Sequence, residues 1–192
     1  MVLSFETDTL ILGIGNILWA DEGFGVRCVE ALNARYAFAD TVRLMDGGTQ
    51  GLLLLPWVSS VSRLLIFDAI DFGLSAGEVR LIRDDNVPQY MGAKKISMHQ
   101  TGFQEVLASA RLLNGKPERL ALIGVQPEQL DDYGGSLRDG TRQRIPEAIT
   151  LACSVLQEWG VPFHERDTPL ASLELTGPGE LEMTSYELGR PQ

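Results

Sequence analysis

Apolar and polar positions along the chain alternate between two periods, and the switches between them mark the elements. Residues 8–14 (DTLILGI) form a short apolar run that ends in glycine, which predicts a buried strand. Residues 22–36 follow with Val26, Val29, Leu32 and Tyr36 at near-helical spacing, so one face of a helix is apolar. Asp21 is placed to cap that helix, and Glu22 falls in the first turn, where the helix dipole favours a carboxylate. Residues 41–46 (TVRLMD) predict a second strand, broken by Gly47 and Gly48. A short helix over about 50–60 follows, shortened or kinked by Pro56.

The third strand, 63–69 (RLLIFDA), is apolar on both faces, as expected at the centre of a parallel sheet. Residues 78–83 (EVRLIR) alternate, which predicts a strand with one wet face. The stretch 84–101 reads as polar loop and contains His99. A helix over 101–113 follows, with Thr101 as its cap and an inner stripe of Phe103, Val106, Leu107, Ala110 and Leu113. Residues 119–125 (RLALIGV) predict a fifth strand. The last helix carries Ile145, Ile149, Ala152, Leu156 and Trp159, with Pro146 in its first turn.

Strands alternating with helices give an α/β fold: a three-layer α/β/α sandwich around a twisted, mostly parallel five-stranded sheet. Residues 1–162 are expected to form one domain. Residues 163–192 change character, with six acidic and two basic residues, prolines, glycines and no sustained period. They predict an acidic, mobile or loosely docked tail.

Composition narrows the function. The net charge of −10 opposes binding to phosphate backbones, so no nucleic acid partner is expected. No apolar run approaches the ~20 residues that span a bilayer, and the N-terminal segment lacks a basic region before an apolar core. The expected location is therefore the cytoplasm, with no membrane partner. Cys28 and Cys153 lie in apolar helical patterns and are expected as free thiols. No CxxC or CxxH pair offers a structural zinc site, and no HExxH motif occurs in the 192 residues.

Three segments carry the candidate chemistry: GIGNILWADEGFG at 13–25, Asp68 in LLIFDAID, and His99 in ISMHQTG. In an open parallel sheet, functional groups collect beyond the carboxyl ends of the strands, where connections diverge to opposite faces. If the first and third strands are neighbours, Glu22 and Asp68 face one crevice, and His99 completes a three-ligand metal site with open positions. Asp21, Asp46 and Asp71 compete for the same role. The bland readings are a cap for Asp21, a loop lining the cleft for Asp46, and a turn for Asp71. GIGN also invites a Rossmann-like nucleotide-binding reading, with Asp46 as the ribose acid. That fingerprint needs a third glycine where Leu18 stands.

GIGNILWADEGFGV, DGGTQG at 46–51, FDAID at 67–71, KISMHQTG at 95–102 and IGVQPE at 123–128 together resemble the [NiFe]-hydrogenase maturation endopeptidases, uptake-hydrogenase type. The likeness runs from about residue 9 to 160. It implies a hydrolase, sometimes grouped with aspartic peptidases, that removes the C-terminal extension of the hydrogenase large-subunit precursor after nickel insertion. It implies Glu22, Asp68 and His99 as ligands of a divalent metal: nickel presented by the substrate, or another divalent ion in vitro. Cleavage would use a water polarised by the metal or deprotonated by a carboxylate, with Asp68 the first choice and Glu22 the other acid. No paired DTG-like motifs support an aspartic dyad. The expected partner is the precursor alone, bound to a monomer. A non-catalytic nickel-dependent chaperone that holds the precursor without cutting it is the alternative from another class.

Overall fold

The computed structural model of the chain describes residues 7–89, 98–113, 115 and 117–170, with the backbone alone for 98–101. Its strands are β1 (Thr9–Ile14), β2 (Tyr36–Phe38), β3 (Val42–Gly48), β4 (Arg63–Ala69), β5 (Val79–Arg83), β6 (Arg119–Val125) and β7 (Phe163–Glu165). The long helices are α1 (Phe24–Arg35), α2 (Met98–Leu112) and α3 (Ile145–Glu158). The central sheet has the order β3-β1-β4-β6-β5; β5 runs antiparallel at its edge and the other pairings are parallel. The three-layer, mostly parallel five-stranded α/β architecture is thus observed.

The two apolar faces of the sheet build two cores. Ile11, Leu65 and Phe67 face α1 and α3, through Phe24, Cys28, Leu32, Ala152 and Leu156. Leu10, Leu12, Leu64 and Ile66 face the other way, against Leu54, Val58, Phe103, Val106 and Ala110. This alternation is the two-residue period of a strand buried on both sides. It also assigns the connections. The chain leaves β1 through α1 on one face, whereas after β4 it reaches α2 on the opposite face. Because β1 and β4 are paired neighbours, their carboxyl ends form the switch point of the sheet.

Several local expectations are corrected. The first helix is preceded by a 3-10 turn, Ala20–Gly23, and ends at Arg35, so Tyr36 begins β2 and does not extend the helical stripe. Asp21 caps nothing: α1 has Gly23 at its N-cap position with no side-chain hydrogen bond. The region around 84–101 is not all loop, since Asp84–Asn86 form a 3-10 turn and α2 already starts at Met98. Thr101 and His99 therefore belong to the helix, whose early turns seat against the loop after β3: a Cβ on Gly102 would lie 3.4 Å from the Gly51 Cα. Leu113 falls past the end of α2 and is 66% exposed, so it leaves the inner stripe.

The expected boundary at residue 162 falls just before a strand. β7 pairs antiparallel with β2, and the Phe163 ring packs edge-on to Tyr36 and beside Phe38. The Leu170 amide still donates to the Ala34 carbonyl at 3.0 Å. The rest of the predicted tail, 171–192, lies outside the described residues. Cys28 and Cys153 are free thiols, as expected. No helix among the described residues is long and apolar enough to cross a membrane.

Candidate active site

The loop after β1 is folded so tightly that glycine is required at its start. Gly15 has φ +132°, and a Cβ there would lie 1.7 Å from the Glu22 carbonyl oxygen. A Cβ on Gly25 would meet the carbonyls of Ile14 and Phe67, each at 2.3 Å. These contacts press the 3-10 turn and the first residues of α1 onto the ends of β1 and β4. Glu22 is thereby held, half-buried, over the sheet's switch point. Asp68, the penultimate residue of β4, is paired with Gly124 of β6 and is fully buried.

The Glu22 charge is felt at Asp68. Burial raises the Glu22 pKa from 4.5 to about 7. Burial also pushes Asp68 well above its ordinary value, and the Glu22 charge pushes it further; the Ala69 amide, donating to Asp68 Oδ1 at 2.8 Å, pulls partly back. Two acids whose charged forms are disfavoured by burial, and in Asp68 also by the Glu22 charge, are suited to a cation, which would let both ionise at once. Hard oxygen donors of this kind fit a divalent ion, and an imidazole would complete a borderline set.

Among the described residues, no three His, Cys, Asp or Glu side chains gather closely enough to hold a metal. Of the three expected ligands, Glu22 and Asp68 are among the described residues, and the third, the His99 side chain, lies outside them. The backbone carries His99 on the second residue of α2, three residues before the Gly102 contact with the loop that follows β3.

The competing acids sort by their partners. Asp71 Oδ1 accepts from the Gly73 amide and from Gln126 Nε2, at 2.8 and 3.1 Å, so Asp71 shapes a turn. Asp46 lies beside Gly13 in the β1–β3 register and is half-buried. Burial raises its pKa against the opposing pull of the Gly48 amide and Arg27, and its Oδ1 has no hydrogen-bond partner among the described residues. Asp21 is wholly buried and accepts three backbone N–H groups from a distant loop, a role that adjacency to a helix start had masked. The nucleotide reading fails on the Gly15 contact. The space its missing Cβ leaves is filled by a carbonyl oxygen, an acceptor that repels phosphate.

Comparison with known proteins decides the family. A family model described as hydrogenase maturation protease (HycI) matches residues 26–155. The chain is 54% identical over 182 residues to hydrogenase expression/formation protein HoxM of Azotobacter vinelandii, covering 95% of this chain and 86% of that protein. It is 53% identical over 185 residues to HupD of Bradyrhizobium diazoefficiens, covering 96% of each. The chain belongs to the hydrogenase maturation proteases. The solved structure of the hydrogenase maturating endopeptidase HybD from Escherichia coli superposes with a TM-score of 0.79 at 39% identity, over 83% of this chain and 98% of that one.

As a hydrogenase maturation protease, the chain is a hydrolase of the endopeptidase type. That disposes of the non-catalytic chaperone and of the nucleotide-binding protein as readings of the whole. The family match contains Asp68 and His99, and Glu22 stands four residues before it.

Proposed function

We propose that this protease removes the C-terminal extension of the [NiFe]-hydrogenase large-subunit precursor after nickel insertion, and that Glu22, Asp68 and His99 contact the nickel the precursor presents. The observation that carries this reading is the pair of half-buried and buried carboxyl groups over the ends of two neighbouring strands, each raised in pKa. The start of α2 against the loop after β3 supports His99 as the third member, because it brings that residue's backbone to the same edge of the sheet. The names of the relatives support the hydrogenase context.

The residues divide the work by their exposure. Asp68 has no exposed surface, and its Oδ1 is tied to the Ala69 amide, so it serves as a fixed anchor. Glu22 is half-buried, reaches water, and has a pKa of about 7. Because it reaches water where Asp68 does not, Glu22 is the better general base, in preference to Asp68. A metal ion bound there would polarise the scissile carbonyl. The protein's part is to hold the peptide bond beside Glu22, to receive at a Glu22 oxygen the proton of the water that attacks the scissile carbonyl carbon, and to return that proton to the amine nitrogen as the C–N bond breaks. The acidic surface, with its net charge of −10, also disfavours a nucleic acid partner.

The test is cleavage of purified precursor, with and without nickel, by wild type and by Glu22→Gln, Asp68→Asn and His99→Ala. The expected result is cleavage of the nickel-loaded precursor by wild type and only a slow residual rate by the three variants, with every variant folded. Equal cleavage of nickel-free precursor would overturn the metal part, and full activity of Asp68→Asn would overturn the site.

A further inference from the structure

The structure assigns Asp21 as a positioning residue that holds Glu22 in place, an inference that rests on Glu22 belonging to the reactive site. Asp21 is 0% exposed. Its Oδ1 accepts from the Arg138 amide at 2.8 Å, and its Oδ2 accepts from the amides of Glu128 and Gln129 at 2.8 and 3.0 Å. All three donors lie more than a hundred residues away, in the loop between β6 and α3. Three backbone donors converging on one buried carboxylate form a built socket, since charge-assisted bonds of this kind are about twice as strong as neutral ones.

The socket is one part of a wider seam. The Asp21 amide donates to Gln129 O at 3.0 Å, the Ala20 amide to Gly135 O at 2.9 Å, and the Gly134 amide to Leu18 O at 2.7 Å. Trp19 bridges Tyr133 in the backbone and packs its ring edge-on at 5.2 Å. Ala20 is held at φ +38°, a left-handed conformation that a non-glycine residue keeps only when its surroundings impose it. Strain of this kind, one residue from the socket and two from Glu22, shows that the seam sets the backbone path.

Glu22 is consequently fixed from two sides. Its carbonyl oxygen rests in the space left by Gly15, and the residue before it is locked to the 128–138 loop. Without the lock, the turn is free to relax Ala20 toward ordinary φ, which would swing Glu22 away from Asp68. The 128–138 loop becomes, by the same bonds, a wall of the site built on the Glu22 segment.

Asn is the informative substitution at this position. Its amide group can accept through one oxygen only, so either Arg138 N–H or both Glu128 N–H and Gln129 N–H would face an NH2 group. The experiment is a double-mutant cycle of Asp21→Asn and Glu22→Gln in the full chain. Two quantities are read: calorimetric binding of Ni2+ alone, and kcat and KM for the nickel-loaded precursor. Thermal melts confirm that each variant is folded. Asp21→Asn is expected to weaken Ni2+ binding and lower kcat by about 10- to 100-fold, the range for residues that orient a ligand, with a smaller change in KM. In the Glu22→Gln background the same change should add almost nothing, because both substitutions remove one function. Losses that multiply across the two backgrounds would make Asp21 merely structural and overturn the assignment. If wild type itself binds no Ni2+, the metal reading fails, and the cycle on kcat still decides the role of Asp21. Should Asp21→Asn fail to fold, Arg138→Pro, which deletes the amide donor to Oδ1 together with the Arg138–Asp132 ion pair, replaces it in the same cycle, with Arg138→Ala as the control that removes the ion pair alone.

Discussion

Glu22→Gln should make the metal-free protein more stable while destroying its function, and the size of the gain follows from the site. In the folded chain Glu22 titrates near 7; unfolded, it returns to about 4.5. Between those values the native state holds a proton that the unfolded state has released. Stability therefore falls as pH rises through this window, and the full penalty is present above about 7. At full strength a shift of this size corresponds to about 3 kcal/mol. Glu22 is half-exposed, and screening by water reduces the penalty to about 1–2 kcal/mol. Gln has a similar shape and does not titrate. The variant should match wild type near pH 4.5 and exceed it at pH 8. For a chain of this length that is a melting temperature higher by about 3–6 °C. Release of Asp68 from the Glu22 charge acts in the same direction.

The assay is a set of thermal melts of both proteins from pH 4.5 to 8 in a chelator, repeated at pH 8 with Ni2+. A saturating divalent ion should reverse the ranking, because wild type gains about 2.7 kcal/mol at a hundredfold excess over Kd and the variant gains far less. Two results would refute the reasoning. One is a stability difference that does not change with pH, which would mean Glu22 is not the titrating group. The other is an equal gain from the metal in both proteins, which would remove Glu22 from the ligand set.

Gly15→Ala should cut precursor cleavage at least tenfold and lower stability by about 2–4 kcal/mol, since a Cβ 1.7 Å from the Glu22 carbonyl at φ +132° forces the turn to move; denaturant melts and cleavage rates check both. His99→Ala should abolish cleavage and keep a cooperative melt; a broad melt would instead make His99 a structural residue. Truncation after Leu170 should leave cleavage unchanged, whereas truncation after Pro162 removes β7 and the Phe163 ring contacts and should cost about 2–3 kcal/mol, seen as a lower midpoint in urea. Calorimetry from pH 6 to 8 should show Ni2+ affinity weakening as pH falls below about 7, because Glu22 must lose its proton to bind.

The sheet was readable because its strands are buried on both faces. RLLIFDA has no polar position between Arg63 and Asp68, so it could only be central, and Asp68 at its end stood out for that reason. The Glu22–Asp68 pairing was readable too, given that the first and third strands of the main sheet are adjacent. What escaped was short or long-range. β2 and β7 are three residues each, too brief for any period, and they exist through each other across more than 120 residues. The start of α2 was hidden because Ser97 to Thr101 look like loop, and tertiary contact between Gly102 and Gly51 overrides that local preference. Asp21 was misread for the same reason. An acid before an apolar helix looks like a cap, and its true donors are given by a loop that no local window contains.

The acids' environment also bears on how a protease of this kind could be kept idle until its substrate is ready. With no cation present, burial and the neighbouring Glu22 charge shift Asp68 toward its protonated form, and at neutral pH Glu22 is divided between its two forms. A free metal ion must displace those protons and gains no thiolate in return, so its binding is weakened by the same environment that brings the acids together. A metal already fixed in a protein partner arrives with its other ligands in place and loses little further freedom on contact. Under the proposed reading, the raised pKa values therefore lower affinity for free ions more than for a presented one. The Gly15 and Asp21 contacts complete that discrimination, because acids fixed in position best meet an ion whose place is already set by another protein. A Glu22 segment loosened by Asp21→Asn should lose part of this preference, and the ratio of free-Ni2+ affinity to precursor kcat/KM would measure it.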